Sequence, residues 1–431
     1  MFYRPNRSYR RSILLFLLIL TIVVSGCSKS NESEPIPPAP IDVEQPTPSS
    51  SESQSETSLT PAPSEEVDDL TKLIDNLTLE EKIGQLILIG VEGTAIDDTL
   101  TKMIQDKHYG GIIFYQNNLS NLADSVKLIN ELKAANSSNP LPLFLSVDQE
   151  GGKVSRLPSD FVTMPSAATV GRTENPELAS QMGKILAEEL KLMGFNVNFA
   201  PVLDIASNPN NKVIGDRAFG DQADLVTKMG IAQMKGMQDN GVIPVIKHFP
   251  GHGDTSTDSH LNLPIVNKTI DELKQLEWIP FQAAIKEQAE VVMIAHILYP
   301  NIDKDAPASF SHILIQDQLR GKLGFEGVVI TDELTMGAIS NHYGVVPSAI
   351  NAIKAGSDIV MIAHNYKQMN LVYKQLLTEV KNGNITEERI NESVRRIITL
   401  KQKYNLTNEP TPIPSLNDLP NAAIKEWLDK L

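Results

Sequence analysis

Cysteine is almost absent from the sequence, since Cys27 is the only one among 431 residues. A single cysteine cannot form an internal disulfide, and a metal site built on several thiolates is excluded. Basic residues are also few, with 38 Lys and Arg against 53 Asp and Glu, so the formal net charge is −15. Because binding to nucleic acid depends on clustered positive charge, this composition argues against nucleic acid as a partner.

The N-terminal segment 1–26 has the pattern of a secretory signal peptide. Several arginines precede an apolar run over residues 13–24, which is interrupted only by Thr21 and is too short to span a membrane comfortably. The adjoining Val24-Ser25-Gly26-Cys27 resembles a bacterial lipobox, in which the cysteine is lipidated after cleavage. The sequence therefore predicts an extracytoplasmic lipoprotein that is anchored to a membrane through Cys27, with an uncleaved anchor helix as the alternative.

Three segments follow the predicted signal peptide. Residues 27–68 are rich in Ser, Pro, Glu and Thr and contain no aromatic residue, so they lack the apolar surface needed to fold and are predicted to form an extended tether. Residues 69–405 are predicted to form one folded domain. The short amphipathic tail 406–431 is expected to pack on that domain or to remain disordered.

Short apolar runs alternate with helical patterns over residues 70–404, and one of these patterns predicts a single helix over 271–288. Thr78 with Glu81 three residues later predicts a capping box at a helix start. Near-continuous apolar runs of this kind are typical of parallel strands that are covered on the outside by helices. Eight strand–helix units predict an α/β fold of the (β/α)8 TIM-barrel type, and a doubly wound open sheet is the alternative. The runs cover residues 85–91, 110–115, 141–147, 197–203, 242–246, 291–297, 328–330 and 359–363.

Polar side chains follow most of the predicted strands. Barrel enzymes build their sites at the rim formed by the carboxyl ends of the strands, whereas in an open sheet the same groups would concentrate at one switch point. The spread of these groups over many strands therefore favours the barrel. They are Asp148-Gln149-Glu150, Asp204 with the segment to Arg217, Lys247-His248, His296, Thr331-Asp332-Glu333 and His364-Asn365.

The segment 247–260 has the composition most suggestive of chemistry. It contains three His, two Asp and one Lys together with Gly, Pro, Ser and Thr, which is typical of a loop with special backbone angles. Scaffolds place reactive side chains on loops that are held by rigid elements, so we expect a reactive loop here. Because Gly253, Ser256 and Ser259 flank the titratable groups, we also expect this loop to close on a substrate.

Several motifs together resemble the family 3 glycoside hydrolases, specifically the bacterial β-N-acetylglucosaminidases of the NagZ type. The resemblance covers residues 70–404 and implies a retaining exo-β-N-acetylglucosaminidase that uses neither a cofactor nor a metal. Combined with the predicted location, it suggests that terminal N-acetylglucosamine is removed from peptidoglycan fragments during cell-wall turnover. The motifs are Asp148-Gln-Glu-Gly-Gly152, Gly215-Asp-Arg-Ala-Phe219, Lys247-His-Phe-Pro-Gly-His-Gly253, Asp258-Ser-His260, Ala295-His296 and Ile330-Thr-Asp-Glu-Leu-Thr-Met336.

By this resemblance, three residues carry the chemistry. Asp332, which follows an apolar strand, is the nucleophile and forms a covalent glycosyl-enzyme intermediate. His260 acts as the acid and the base, and Asp258 orients its imidazole. The alternatives are that Asp332 caps a helix starting near Leu334, and that Asp258 and His260 are turn-forming surface residues.

The resemblance also implies a set of residues that bind the terminal sugar, because hydroxyl groups need fixed donors and acceptors. The alternative for each member is a structural ion-pair network at the strand ends. Glu150 and Asp204 are interpreted as structural rather than catalytic. The implied set is Asp148, Arg217, Lys247 and His248, with Arg156, His296 and Met336 as weaker candidates for the wall of the site.

Two other functions remain open at this stage. A sugar-binding lipoprotein without catalysis would share the signal peptide, the lipobox and the tether, but it would not need Asp332. A metal-dependent barrel hydrolase would place the Lys247 ammonium beside its metal, which disfavours it. Its candidate ligands for zinc or manganese are His248, His252, Asp254, Asp258 and His260. In every case we expect a monomer.

Overall fold

The computed structural model describes residues 65–431, with side chains from Asp69 onwards. The predicted signal peptide, the lipidation site Cys27 and nearly all of the predicted tether lie outside the described residues. Within 65–431, no helix is both long and apolar enough to cross a membrane.

Parallel strands form a closed barrel in which each strand pairs with the next in chain order and the last pairs with the first. This closure confirms the predicted (β/α)8 barrel and excludes the open sheet. The strands are β1 Ile87–Gly90, β2 Gly111–Phe114, β3 Phe144–Val147, β4 Val197–Asn198, β5 Ile243–Phe249, β6 Val291–Ile294, β7 Val328–Glu333 and β8 Ile359–Ile362.

Helices cover the outside of this barrel, and a π-helix at Ile313–Lys322 occupies the connection between β6 and β7. The segment Leu79–Gln85 begins as the sequence suggests, because the Thr78 and Glu81 side chains cap each other's backbone N–H groups. The α-helices are α1 Glu65–Asn76, α2 Leu79–Gln85, α3 Asp98–Lys107, α4 Leu122–Ala135, α5 Ala167–Gly171, α6 Pro176–Met193, α7 Ala223–Gln238, α8 Ile270–Gln275, α9 Trp278–Lys286, α10 Gly337–Ser340, α11 Val345–Ala355, α12 Tyr366–Lys381, α13 Glu387–Lys403 and α14 Asn421–Leu428.

Two strands are longer than the apolar runs predict, and both extensions carry polar residues that the sequence singled out. β5 continues through Lys247 and His248, and β7 continues through Asp332. The strand pairing shifts register between Ile246 and Phe249 in β5 and again at the end of β7. Assigning Lys247 and His248 to a loop was therefore wrong, because polar residues inside a strand resemble a loop when only the local pattern is considered.

The helical predictions were wrong in one connection. Residues 271–288 were predicted as a single helix, but the structure contains two, α8 and α9. Pro280 lies in the first turn of α9, where a proline is tolerated because the first N–H groups of a helix have no intrahelical partner. In one continuous helix, Pro280 would have removed an internal hydrogen bond, so the chain breaks before it.

The C-terminal tail packs on the rest of the domain. The Asn421 side chain donates to the Asp160 carbonyl and accepts from the Val162 N–H, with distances of 2.9 Å in both cases. Ile424 and Trp427 of α14 are buried in a cluster with apolar residues of α5, α6 and α7. The tail thereby covers the outer face of the helices that follow β3 and β4.

A buried carboxylate, Asp358, joins the elements at the start of β8. Its oxygens accept hydrogen bonds from Arg320 at 2.6 Å, Ser393 at 2.7 Å, the Val329 N–H at 2.9 Å and Arg396 at 3.0 Å. These donors belong to the π-helix, α13 and β7, so one fully buried side chain ties three elements to the barrel.

We predict that Asp358→Asn destabilises the domain by about 3–5 kcal/mol, because it leaves largely buried arginines without their counter-charge. Urea unfolding followed by circular dichroism measures this change. The matched control is Asp271→Asn, which neutralises a carboxylate that is 85% exposed and pairs with Lys274 at the surface. Equal effects of the two substitutions would show that the Asp358 pairing adds nothing to stability.

A second buried acid, Glu189 of α6, has no hydrogen-bond partner for its carboxyl oxygens within the described residues. Burial, helped by the negative charge of Glu188, raises its pKa from 4.5 to about 8. The folded state therefore binds a proton that the unfolded state releases, so this group lowers the stability as the pH rises from 4.5 to 8.

We predict that Glu189→Gln abolishes this part of the pH dependence, so that the variant gains stability over the wild type at pH 8.5 but much less at pH 5. Urea unfolding at both pH values measures the difference. Glu177→Gln, at an exposed position on the same helix, serves as the control. A gain of the same size at both pH values would contradict the assigned pKa.

Candidate active site

A cavity of about 190 Å³ opens at the carboxyl ends of the strands. It contains most of the residues that the sequence singled out: Asp148, Arg156, Arg217, Lys247, His248, His260, Asp332 and Met336. Two predicted residues, Asp258 and His296, do not line it and lie behind residues that do. These residues belong to or follow four different strands, β3, β4, β5 and β7, and they converge on one space.

The floor of the cavity is built around a buried lysine. The Lys247 ammonium is 1% exposed and lies 2.5 Å from an Asp148 oxygen and 2.7 Å from a Glu150 oxygen. Arg217 makes two hydrogen bonds to the same Glu150 carboxylate, at 2.7 and 2.8 Å. Burial raises the pKa of Glu150, but the charges of Arg217 and Lys247 outweigh it and hold the pKa well below the usual range. Glu150 is therefore ionised and fully engaged with two cations.

His248 is oriented by Asp204, which is fully buried. The Asp204 carboxylate lies 2.6 Å from His248 Nδ1 and also accepts from the His252 N–H at 2.6 Å. Since an ionised carboxylate only accepts hydrogen bonds, Nδ1 of His248 must carry the proton. Nε2 then faces Arg217 at 3.4 Å as an acceptor. Asp204 thus presents one fixed tautomer of His248 to the cavity.

Asp332 is the carboxylate of β7 that faces the cavity. One of its oxygens accepts from the Glu333 N–H at 2.8 Å, which fixes the side chain. Burial raises the pKa of Asp332, but His296, His248, this hydrogen bond and Lys247 outweigh it, so its pKa is lowered. The carboxylate is therefore ionised at neutral pH. Its alternative role as a helix cap is not observed, since α10 begins at Gly337 after Met336.

His260 and Asp258 form a pair above the cavity. The Asp258 Oδ1 atom lies 3.0 Å from His260 Nδ1 and accepts from the His260 N–H at 2.9 Å. Burial raises the pKa of Asp258, but the hydrogen bonds from the backbone and the ring of His260 together outweigh it and lower the pKa, so the carboxylate is ionised. Nδ1 of His260 therefore donates to Asp258, and Nε2 is available to a ligand. The imidazole is 66% exposed although it lines the cavity, which leaves room for a substrate above Asp332.

His296 lies beneath the site instead of in its wall. Its Nε2 atom is 3.0 Å from the Glu333 carbonyl, and since a carbonyl only accepts, Nε2 carries the proton. Its Nδ1 atom is buried without a partner in the described part of the chain. Burial lowers the pKa of His296. His296 is thus placed to support the end of β7, where Asp332 lies.

The segment that carries His260 is anchored to the loop after β4 by one buried amide. The Asn211 side chain donates to the His252 carbonyl at 2.8 Å, the Gly253 carbonyl at 3.1 Å and Thr255 Oγ1 at 3.2 Å. Its oxygen accepts from two backbone N–H groups of its own loop, at 3.0 Å each. The loop that bears Arg217 and the segment that bears His260 therefore hold each other in place.

Several residues of the cavity were not among the residues predicted to react or to bind the sugar. Tyr115 and His364 line it and stack on each other, with ring centroids 5.1 Å apart and an interplanar angle of 28°. Each follows a barrel strand, so their position at strand ends was the available signal. The sequence did not single out Val154, Val213, Met293 and Met361, and it named His252, Ser259 and Glu333 without assigning them to the sugar site.

The candidate ligands of the metal hypothesis are divided among separate contacts. His248 pairs with Asp204, His260 pairs with Asp258, and His252 hydrogen-bonds through Nδ1 to Thr255. Over residues 65–431, no three His, Cys, Asp or Glu side chains are arranged to hold a metal ion.

A closed parallel barrel whose rim combines a free carboxylate with an imidazole–carboxylate pair has the architecture of a barrel enzyme. The chain belongs to glycosyl hydrolase family 3, because residues 78–400 match the family described as "Glycosyl hydrolase family 3 N terminal domain". The resemblance drawn from the motifs is thereby confirmed at the level of the family.

Named relatives and solved structures agree with this assignment. The chain is 35% identical over 334 residues to "Beta-hexosaminidase A" of Pseudoalteromonas piscicida, covering 72% of this chain but 56% of that protein. It is 35% identical over 285 residues to "Beta-hexosaminidase" of Xylella fastidiosa (strain M23), covering 65% of this chain and 83% of that protein. The solved family 3 β-N-acetylglucosaminidase of Paenibacillus sp. str. FPU-7 is 40% identical with a TM-score of 0.76, covering 81% of this chain and 69% of that one. The chain thus spans little more than half of the first of these relatives.

We predict that Asn211→Ala lowers kcat by about 10- to 100-fold on any substrate that needs His260, because a displacement of about 1 Å in a catalytic group costs that much. Steady-state kinetics measure this change. The control is Asn210→Ala in the same turn, since Asn210 is exposed and only its backbone N–H is bonded there. Unchanged kcat in Asn211→Ala would mean that the segment is held by its other contacts.

Proposed function

We propose that this chain is a retaining exo-β-N-acetylglucosaminidase that acts through a covalent glycosyl-enzyme intermediate. The single observation that carries the proposal is that Asp332 and His260 line the same small cavity, with Asp258 holding the imidazole. The names of the relatives support the choice of sugar. A cavity closed at its base by buried charges suits the end of a glycan chain, which favours exo cleavage.

In the first step, the Asp332 carboxylate attacks the anomeric carbon while His260 donates the Nε2 proton to the glycosidic oxygen. The bond from carbon to the leaving oxygen breaks, and a bond from carbon to Asp332 forms. The Asp258 carboxylate stabilises the imidazolium that is needed at this moment, as in the orienting role of a buried aspartate beside a catalytic histidine. The lowered pKa of Asp332 keeps the nucleophile ionised while the acid is protonated.

In the second step, His260 is neutral and accepts a proton from water through Nε2. The water oxygen attacks the anomeric carbon, and Asp332 leaves as a carboxylate. Two displacements at one carbon return the original configuration. Imidazole suits both steps because its ordinary pKa lies near neutrality.

The terminal sugar is held at the floor of the cavity. Asp148 has an oxygen next to Lys247 and is partly open to the cavity, so it suits acceptance from adjacent hydroxyl groups. Lys247, Arg217 and His248 are fixed by their partners and present donors and an acceptor without further ordering. Preorganisation of this kind favours binding of a single ring in one orientation.

We also propose a location and a natural substrate. The signal sequence and Val24-Ser25-Gly26-Cys27 support an extracytoplasmic lipoprotein anchored through lipidated Cys27, and we propose that it is a monomer. Peptidoglycan is the glycan polymer on the outer side of the membrane, so its fragments with terminal N-acetylglucosamine are the proposed substrates during cell-wall turnover. Mass spectrometry of the mature N-terminus tests the anchor, and turnover of purified muropeptides tests the substrate. Activity on chitin oligomers alone would contradict the latter.

We predict that Asp332→Asn lowers kcat/KM on a chromogenic β-N-acetylglucosaminide by about 10⁴-fold or more, since loss of a nucleophile removes the whole two-step route. Azide added to Asp332→Gly restores turnover and yields the glycosyl azide of inverted configuration, because the small anion occupies the vacated space.

We predict that His260→Ala lowers kcat/KM on a disaccharide by about 10²–10⁴-fold, because the leaving oxygen is no longer protonated. It loses less in the first step on a nitrophenyl glycoside, whose leaving group needs no proton.

The same assay separates the rival functions. Turnover that a chelator abolishes and added metal restores, and that does not depend on Asp332, would refute this mechanism in favour of a metal-dependent hydrolase. Tight binding of intact sugar without turnover by the folded wild type would instead support a binding lipoprotein. Circular dichroism of each variant confirms that it is folded.

A further inference from the structure

The imidazole of His252 has no part in the mechanism proposed above, although it belongs to the site. It lines the catalytic cavity and is 2% exposed. Its backbone N–H donates at 2.6 Å to Asp204, the carboxylate that also fixes His248. Because it follows the end of β5 by three residues, His252 belongs to the rigid base of the segment that carries His260.

Both ring nitrogens of His252 contact hydroxyl groups of that segment. Nδ1 lies 2.9 Å from Thr255 Oγ1, and Nε2 lies 3.4 Å from Ser259 Oγ. The Thr255 hydroxyl has one proton, which it donates to the His252 carbonyl at 3.1 Å. Thr255 Oγ1 therefore accepts from Nδ1, and Nε2 accepts from the Ser259 hydroxyl. One ring thus joins the base of the segment to the residue next to His260.

The surroundings of the ring keep it in the neutral form that this arrangement needs. Burial lowers the pKa of His252, and the charge of His248 lowers it further, whereas Asp204 opposes both effects. The pKa falls from 6.5 to about 4 as a result. Nε2 is therefore an acceptor at neutral pH, whereas a protonated ring would have no lone pair for the Ser259 hydroxyl.

Ser259 is also held by the segment that follows the strand of Asp332. Its carbonyl accepts from the Ala338 N–H at 3.0 Å, and the His260 carbonyl accepts from the Gly337 N–H at 3.2 Å. The two segments approach closely, because a Cβ atom at Gly337 would lie 2.6 Å from the His260 carbonyl oxygen. Ser259 is 3% exposed and is thus fixed through its side chain by one element and through its backbone by another.

The contact between His260 and Asp258 cannot place the imidazole by itself. Among the described residues, the His260 ring hydrogen-bonds only to Asp258, which is two positions away in the same irregular segment. Such a local contact orients the ring within the segment but does not set its distance from Asp332. That distance depends on contacts between the segment and the rigid parts of the site, and the contact between His252 and Ser259 is the one nearest to His260 from the side of β5.

We propose that His252 is a positioning residue for the acid–base pair, because its ring holds Ser259 and thereby sets the distance between His260 and the bond to be cleaved. The proposal rests on the glycosidase function and adds a residue that acts through His260 without touching the reacting atoms. A displacement of about 1 Å in a catalytic group costs on the order of 10²-fold in rate. Loss of the contact therefore weakens protonation of the leaving oxygen and leaves the attack by Asp332 intact.

The test compares two leaving groups, since only a poor leaving group needs the proton from His260. His252→Phe keeps a planar ring without the acceptor, and Ser259→Ala removes the donor. Each lowers kcat/KM on N,N′-diacetylchitobiose about 10- to 100-fold. Each changes kcat/KM on a dinitrophenyl β-N-acetylglucosaminide by less than about threefold, because that leaving group departs without a proton. His252→Gln, whose amide can still bond Ser259, restores most of the activity on the disaccharide.

A double-mutant cycle and a matched control separate positioning from general damage. His252→Phe combined with Ser259→Ala costs no more than the larger single loss, because both substitutions remove the same contact. The control is Ser256→Ala, since Ser256 is exposed in the same segment and its hydroxyl has no partner in the described part of the chain. Equal losses on both substrates, additive losses in the double variant, no rescue by His252→Gln or an equal loss in Ser256→Ala would each overturn the proposal.

Failure of this proposal and failure of the glycosidase function give different results. Turnover of the dinitrophenyl substrate by the wild type, abolished in Asp332→Asn, establishes the function without reference to His252. Hydrogen exchange tests the link without any substrate: the N–H groups of Gly337 and Ala338 exchange faster in His252→Phe than in the wild type or in Ser256→Ala. Unchanged exchange in His252→Phe overturns the positioning role and leaves the function intact, whereas a wild type without turnover overturns both.

Discussion

The burial of Lys247 within β5 is the constraint on which the rest of the site depends. An ammonium group that is 1% exposed in the middle of a barrel is tolerated only when carboxylates surround it. Asp148 and Glu150 provide these from the end of β3, and Glu150 also holds Arg217 from the loop after β4. The same ion pairs therefore fix three neighbouring strand ends and leave their polar groups aimed at one cavity.

The buried carboxylates at the rim differ in function because their partners differ. Glu150 forms ion pairs with Lys247 and Arg217, and Asp204 hydrogen-bonds to His248 and to a backbone N–H. Asp332 accepts only one hydrogen bond among the described residues, from the adjacent backbone, and lines the cavity. A carboxylate with a free oxygen next to the substrate space is the one able to act as a nucleophile, which fits the proposed assignment.

The proposed acid–base pair differs from the floor of the cavity in its exposure. His260 is largely exposed and Asp258 is half-buried. Both lie on a segment without regular structure, but that segment is held through Asn211 and through the N–H groups of Gly337 and Ala338. An exposed imidazole can reach a leaving group of variable size, whereas the buried floor recognises one ring. In the proposed mechanism, strand residues thus recognise the sugar rigidly, and a loop residue transfers the proton.

The sequence by itself determined the barrel and the family, because eight apolar runs and contiguous motifs such as 247–253 are local properties of the chain. It also identified most of the cavity residues as candidates for the site, because they follow predicted strands. Only the tertiary structure decided that β5 and β7 extend through Lys247 and Asp332, that His296 lies beneath the site and that Tyr115 stacks on His364. These features depend on contacts between residues that are distant in the sequence, such as Arg217 and Glu150, which are 67 positions apart. A local sequence pattern does not indicate which distant residue will pair with a buried charge.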